Sequence, residues 1–378
     1  MSFRFYFRLV RRLLGNKVRR WFGLPAIPYK VLWNTTYFCN SRCKTCNIWE
    51  IYPSNGGSQK NEIQRDDVRR IIGSLGKHLL CLTVTGGEPT LKLNMAETTN
   101  DIYDACPHLG LITINTNAIL PKPAVRALEN IASHCRAARV FGVLSLDGVG
   151  KLHDEIRGVP GNFESVVECC RRLKELKQRL PNLRVAFQST VSRHNLSHLA
   201  ELVEHCRAHG DEHLMTFAQE AELYRNFGEG QDVTTDRSSL PQTLDDLARH
   251  FAVRSLGDVL QWSHMRLMRF FVESRTAPVP CTAGSSTITV GPTGVVSGCL
   301  FLNNPMGNAK QHGYSLTRLL STPQARTVQN ACSQCQRCWT NCESVPAMVS
   351  SPFKTVVRIL GPRPRHIPAV RRAPDATC

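Results

Sequence analysis

Between Tyr29 and about Ala218 the chain alternates short apolar runs with longer stretches of helical periodicity, and that alternation leaves few folds open. Candidate strands are Val31–Phe38, Leu79–Thr85, Leu111–Asn115, Val140–Leu146, Val185–Thr190 and Leu214–Ala218. Helical stretches lie between them, for example Asp66–Leu75, Ala124–Arg136, Phe163–Lys177 and Leu196–His209. Strands separated by such helices pair in parallel, because each crossover returns the chain to start its next strand at the same end. About six units of this kind build a partial (β/α)6 barrel or an open α/β sheet. Both gather ligands beyond the C-terminal strand ends, so the chemistry is expected in the loops found there.

The remainder divides around this body. Residues 1–28 read as a basic amphipathic segment, 29–224 as the barrel, 225–276 as a linker with helices, 277–345 as a small cysteine-rich domain and 346–378 as a basic tail. The linker helices are expected near Leu244–Val253 and Leu256–Glu273. Within the cysteine-rich domain, Gly291-Pro292-Thr293-Gly294 turns a hairpin between Thr287–Val290 and Val295–Ser297.

Residues 3–22 fit a helix. Phe3, Phe7, Val10, Leu14, Val18 and Trp21 fall on one face, and Arg4, Arg8, Arg11, Arg12, Arg19 and Arg20 gather on another. The arginines cut the apolar residues into short runs, so the segment lacks a signal peptide's apolar stretch and cannot span a bilayer. The expected location is cytoplasmic, with peripheral contact at the inner face of the membrane through this helix. A helix packed on the domain, or a solvated basic arm, is the alternative. The net charge of +17 sits mainly at the two ends and leaves the body near neutral. Nucleic-acid binders carry such charge on the folded face that docks, so nucleic acid is not an expected partner.

A reducing compartment turns the sixteen cysteines toward metal chemistry rather than disulfides. The first strand runs into Cys39-Asn40-Ser41-Arg42-Cys43-Lys44-Thr45-Cys46. Three thiolates on one loop can wrap one face of a four-iron cubane and leave the fourth iron an open coordination position. An open position marks a catalytic metal rather than a structural one. Structural zinc is the alternative, but it needs a fourth ligand and no nearby histidine offers itself.

This spacing resembles the CxxxCxxC signature of the radical S-adenosylmethionine (SAM) superfamily. Further motifs follow in that family's order. They are Gly86-Gly87-Glu88-Pro89 after the second strand, Thr116-Asn117-Ala118 after the third, and Ser145-Leu146-Asp147-Gly148 with His153-Asp154-Glu155-Ile156-Arg157-Gly158 after the fourth. Gln188 and Thr190 close the fifth strand. Ala118 stands where the family usually has glycine. The resemblance implies a [4Fe–4S] cluster on Cys39, Cys43 and Cys46. It implies SAM contacts from Gly86, Gly87, Glu88, Thr116, Asn117, Ser145, Asp147, Arg157 and Gln188. It also implies reductive cleavage of SAM to a 5′-deoxyadenosyl radical that takes hydrogen from a substrate carbon. A one-electron donor of flavodoxin or ferredoxin type would reduce the cluster.

A second cysteine group, Cys281, Cys299, Cys332, Cys335, Cys338 and Cys342, resembles the SPASM/twitch extensions of radical SAM enzymes. The resemblance implies one or two auxiliary Fe–S clusters; structural zinc is again the alternative. The longer form of that extension ends on a further cysteine, and here only Cys378 is left. Cys81, Cys106, Cys135, Cys169, Cys170 and Cys206 lie in apolar stretches and read as small core residues.

Three functions fit. The first is a radical SAM enzyme acting on an unidentified lipid or lipid-linked substrate at the membrane, supported by the basic ends. The second is a peptide- or protein-modifying maturase, and the third a non-catalytic iron–sulfur sensor. A sensor has no need of Glu88, Ser145 and Arg157 in register.

Overall fold

The computed structural model describes residues 3–228, 240–249, 256–302 and 304–361. Six parallel strands form the body: β1 (Lys30–Asn34), β2 (Cys81–Thr85), β3 (Leu111–Thr116), β4 (Arg139–Ser145), β5 (Leu183–Val191) and β6 (Glu212–Phe217). They lie side by side in chain order, each joined to the next by helical segments. This is the partial-barrel arrangement expected from the sequence. The first strand ends at Asn34, four residues before the expected Phe38.

Residues alternate between two faces along each strand. Ile112, Ile114, Val140, Val185 and Phe187 point outward into the main core under the helices. The inner face changes character along the barrel axis. Leu111, Phe141, Val143, Ala186 and Leu214 make it apolar at the lower end. In the strand register, Asn34, Thr85, Asn115, Ser145, Gln188 and Thr216 take the same face nearer the C-terminal ends. That polar rim faces the catalytic loops.

The cysteine-rich region is not set apart from the barrel. β7 (Thr287–Val290) pairs in parallel with β1, and β8 (Val295–Ser297) and β9 (Pro305–Asn308) add antiparallel strands beyond it. One nine-stranded sheet therefore runs through both parts. The Lys30 ammonium donates to the Cys342 carbonyl at 2.7 Å, tying the first strand to the last cysteine of the motif. The hairpin was legible in the sequence; its pairing with β1, some 250 residues earlier, was not.

The linker helices span Leu240–Arg249 and Leu256–Ser274. Expected helix residues 250–253 lie outside the described residues, as do Cys378 and most of the expected basic tail. The described part of that tail is helical, from Pro352 to Leu360. The N-terminal helix, Phe3–Trp21, packs on the barrel through the face opposite the apolar stripe read from the sequence. Phe5 and Leu13 are buried against Tyr29, Leu80 and Cys81 at the N-terminal ends of β1 and β2. The Asn16 amide brackets Ile27, donating to its carbonyl and accepting from its N–H, both at 3.0 Å. The face expected to be apolar, from Phe3 to Trp21, is left exposed.

Candidate active site

The loop that carries Cys39, Cys43 and Cys46 is zipped to the loop after β2. The Thr35 N–H donates to the Thr85 carbonyl, the Gly87 N–H to Thr36 and the Glu88 N–H to Phe38, at 2.7–2.8 Å. The backbones approach so closely that side chains are excluded. A Cβ on Gly87 would stand 2.1 Å from the Phe38 oxygen, and one on Gly86 2.6 Å from that of Thr36. Gly86 also holds φ at 133°, a conformation that side chains resist. These glycines thus press the two loops together.

Glu88 is the hub of the next contact. Its carboxylate is buried and accepts from the Thr90 N–H at 3.1 Å, the Thr90 hydroxyl at 2.6 Å, the Thr116 hydroxyl at 2.8 Å and the Asn117 N–H at 2.7 Å. Burial pushes its pKa up, and these donors pull it back. The resemblance implied a contact of Glu88 with SAM; the structure gives both its oxygens donors from the loop after β2 and from the end of β3 with the loop that follows it. The Asn117 amide then reaches the cysteine loop, donating to the Asn40 side-chain oxygen at 2.8 Å and lying 3.9 Å from the Cys39 sulfur. Ala118 adopts φ of 53°, which explains why glycine suits this position.

After β4, Asp147 and Arg157 form a buried ion pair at 2.9 Å. The second carboxylate oxygen of Asp147 accepts from the Thr190 N–H at 2.7 Å. Arg157 donates onward to the Cys43 sulfur at 3.3 Å. Burial opposes its charge, yet Asp147 and the neighbouring thiols hold its pKa above the ordinary arginine value. The Arg157 carbonyl accepts from Arg42 N–H and from the Ser41 hydroxyl, both at 3.0 Å. Gly158 lies so close that a Cβ would meet the Arg42 oxygen at 2.4 Å.

His153 links these loops. Its Nδ1 accepts from the Asp147 N–H at 3.1 Å, so the proton sits on Nε2 and is donated to Asn162 at 3.1 Å. Asn162 donates in turn to the Asn117 carbonyl at 3.0 Å. Burial lowers the His153 pKa to about 4, keeping the ring neutral. Ser145 and Gln188 stand opposite one another in the β4–β5 register, half-buried on the inner face.

The cysteine loop thus meets the loops after β2, β3 and β4. Asn226 completes the enclosure: fully buried, it donates to the Thr45 and Gln219 carbonyls at 2.8 and 3.0 Å. The sequence placed it in a linker and offered no signal of this role. The His153–Asn162 link was likewise missed, although His153 opens the HDxxRG stretch and Asn162 follows it closely.

Among the described residues no three His, Cys, Asp or Glu side chains converge as they would around a single ion. A cubane asks something different, one thiolate on each of three irons. Cys43 is buried and Cys39 and Cys46 half-buried, and desolvation raises the Cys39 and Cys46 thiols to about 12. Cys43 adds to both shifts, which puts the three sulfurs within electrostatic reach of one another. Thiols so placed lose their protons when they take a metal, and the Arg157 and Asn117 donors stand ready for the resulting sulfur charge. The residues present therefore fit the cluster.

In the second group, Cys281, Cys299, Cys338 and Cys342 are each pushed up by burial and further by nearby charge, Cys342 to about 11. Cys299 feels Cys338, Cys332 and Cys281, and Cys338 feels Cys342 and Cys335. The six expected cysteines thus make one continuous group. Trp339, next to Cys338, is buried, its indole N–H donating to the His264 carbonyl at 3.2 Å. Arg42 caps Trp49, 4.3 Å above its ring, beside the first cysteine loop. A cavity of about 310 Å3 opens between the two cysteine regions, lined by Asn34, Tyr37, Thr289, Ser297, Cys299 and Phe301 among others.

Comparison with known proteins bears on the family and the fold. Residues 33–206 match the family model described as Radical SAM superfamily. The chain is 28% identical over 191 residues to an AdoMet-dependent heme synthase of Oleidesulfovibrio alaskensis, covering 49% of this chain and 43% of that one. It is 22% identical over 286 residues to the sporulation killing factor maturation protein SkfB of Bacillus subtilis, covering 75% and 62%. The match thus spans about half the length of the curated relatives. In fold it is similar to Streptococcus suis SuiB bound to precursor peptide SuiA, with a TM-score of 0.59 and 17% identity over 83% of this chain and 69% of that chain.

Proposed function

We propose that this chain, an enzyme built on a radical SAM domain, modifies a peptide or protein. The observation that carries the SAM chemistry is the single contact network that joins the cysteine loop to three catalytic-end loops through Glu88, Asn117 and Arg157. When bound to Cys39, Cys43 and Cys46, a reduced [4Fe–4S] cluster supplies the electron that cleaves SAM and starts hydrogen abstraction.

The chain's own residues do the rest. Asn117 and Arg157 aim N–H donors at the sulfurs of Cys39 and Cys43, which stabilises thiolate and raises the reduction potential of what they hold. Gly86, Gly87, Glu88 and Thr116 fix the loop backbone that faces the amino group of SAM. Asp147 orients Arg157. The side chains of Ser145 and Gln188 make no hydrogen bond among the described residues, which leaves their polar groups for the ribose or carboxylate of SAM. Cys281, Cys299, Cys332, Cys335, Cys338 and Cys342 hold at least one auxiliary Fe–S cluster, and a small flavodoxin- or ferredoxin-type protein delivers electrons.

Two observations support a peptide over a lipid. The alignment with a maturation protein extends beyond the barrel, whereas that with a heme synthase covers about half of the chain. The cavity has a mixed lining, with Asn34, Tyr37, Glu222, Thr289 and Ser297 among apolar residues, and is at the small end for ligand sites, suited to a side chain and its flanking peptide units. Replacing Cys39, Cys43 and Cys46 together by Ala should abolish 5′-deoxyadenosine formation under dithionite while the C-terminal iron stays. Unchanged SAM cleavage would falsify the assignment. For the substrate, a short peptide encoded beside the gene should change mass on anaerobic incubation, and Ser297→Trp should stop that change while SAM is still cleaved. Turnover stimulated by a tetrapyrrole and not by the peptide would replace the peptide reading.

A further inference from the structure

The exposed large apolar side chains are not scattered; most of them, among the described residues, belong to two helices. On the N-terminal helix Phe3 is 84% and Trp21 87% exposed; on the helix Pro352–Leu360, Phe353 is 80% and Leu360 79% exposed. Lone exposed apolar residues are ordinary on a protein surface, but apolar stripes on two helices are not. The first stripe runs about 140° around its helix from the buried Phe5, Leu13 and Asn16, so it points away from the barrel. The residue that leads into the second helix ties it to the first: Val349 packs in the cluster under Phe5, and the second helix starts at Pro352.

Charge says what covers this face. Arg19 and Arg20 are spent inside the molecule, on the Pro25 carbonyl at 2.8 Å and the Ser285 hydroxyl at 2.5 Å. Arg4, Arg8 and Arg11 have no acidic partner among the described residues. Together with Phe3, Phe7 and His108 they line a groove of about 330 Å3 that contains no carboxylate. Three free guanidiniums bordering exposed aromatics match an anionic headgroup over acyl chains, with phosphate on the arginines and rings below it. A protein partner with an acidic rim would meet the charge but leave the Trp21–Phe22 pair without a matching apolar phase.

We propose that this face docks on an anionic phospholipid surface, the Arg4–Arg8–Arg11 groove taking a lipid phosphate. The proposal goes beyond the substrate reading. The docking helix crosses the N-terminal ends of β1 and β2, whereas the catalytic loops follow the C-terminal ends. Docking therefore holds the enzyme at the membrane with its site turned toward the cytoplasm, where a peptide arrives, and does not feed it a bilayer lipid.

Flotation of the full chain with vesicles tests this. Binding is expected to vesicles containing phosphatidylglycerol and not to pure phosphatidylcholine, weakening with salt without vanishing. The triple variant R4Q/R8Q/R11Q and the pair F7E/W21E should each weaken partition about tenfold or more. Circular dichroism should show both folded, and 5′-deoxyadenosine formation should stay at the parent rate, which separates this idea from the catalytic one. Equal partition of parent and variants overturns the proposal. So does displacement from the vesicles by inorganic phosphate alone, which would make the groove a free-phosphate site. Concentration-dependent dimerisation lost in F7E/W21E, without vesicle binding, would assign the face to a second copy of the chain and equally overturn it.

Discussion

Single residues at this site constrain one another closely. Gly87 is the sharpest case: its place is set by the Phe38 carbonyl, a backbone atom that cannot swing aside. Gly87→Ala should therefore cost about 1–3 kcal/mol of stability and separate the cysteine loop from the loop after β2. Urea denaturation would measure the first effect, and iron content after anaerobic reconstitution the second; an unchanged protein on both counts would refute the zipped-loop account. His153 makes a pH prediction. Its folded pKa of about 4 lies below the ordinary 6.5, so the unfolded chain binds the proton first as the solution is acidified. Stability is intact above pH 6.5 and is lost as the pH falls toward 4, by about 2 kcal/mol between pH 7 and 5. His153→Gln should remove about that much of the acid-side loss in urea titrations at the two pH values. Parallel pH profiles for parent and variant would mean that the ring takes its proton equally in the folded and unfolded chain.

At the scale of elements, the N-terminal helix has two apolar faces with different fates. Both are present in the sequence, because Phe5, Leu9 and Leu13 alternate with Phe3, Phe7, Val10 and Leu14 along the same turns. Periodicity alone picks the longer stripe, and the barrel takes the other. Phe5→Ala should lower stability by about 3 kcal/mol through the lost contact with Tyr29, Leu80 and Cys81, whereas Phe7→Ala should stay within about 0.5 kcal/mol. Thermal or urea unfolding of the two variants tests it, and equal effects would overturn the orientation of the helix. Removal of the whole segment would consequently disturb the fold as well as the membrane face, so point variants are the cleaner probe of docking. No described helix is long and apolar enough to cross a membrane.

Across the whole molecule, the sheet joins what the sequence separates. Trp33 is buried in β1, and Trp339 is buried beside the second cysteine group. Because β7 pairs with β1, the two regions should unfold together. Single-tryptophan variants followed by fluorescence should show one midpoint; two distinct midpoints would make the cysteine-rich region an independent domain. The six strands, the cysteine triad and the motifs after β2, β3 and β4 were legible in the sequence, since alternating hydrophobicity and residue spacing are local properties. So were the inert cysteines, buried as expected at Cys81, Cys106, Cys135, Cys169, Cys170 and Cys206. What Glu88 binds, which sulfur Arg157 meets, the clamp by Asn226 and the pairing of β7 with β1 were decided only by the tertiary structure. Each joins residues far apart along the chain, and a polar side chain carries no mark of its partner until folding excludes water and leaves a single donor or acceptor within reach.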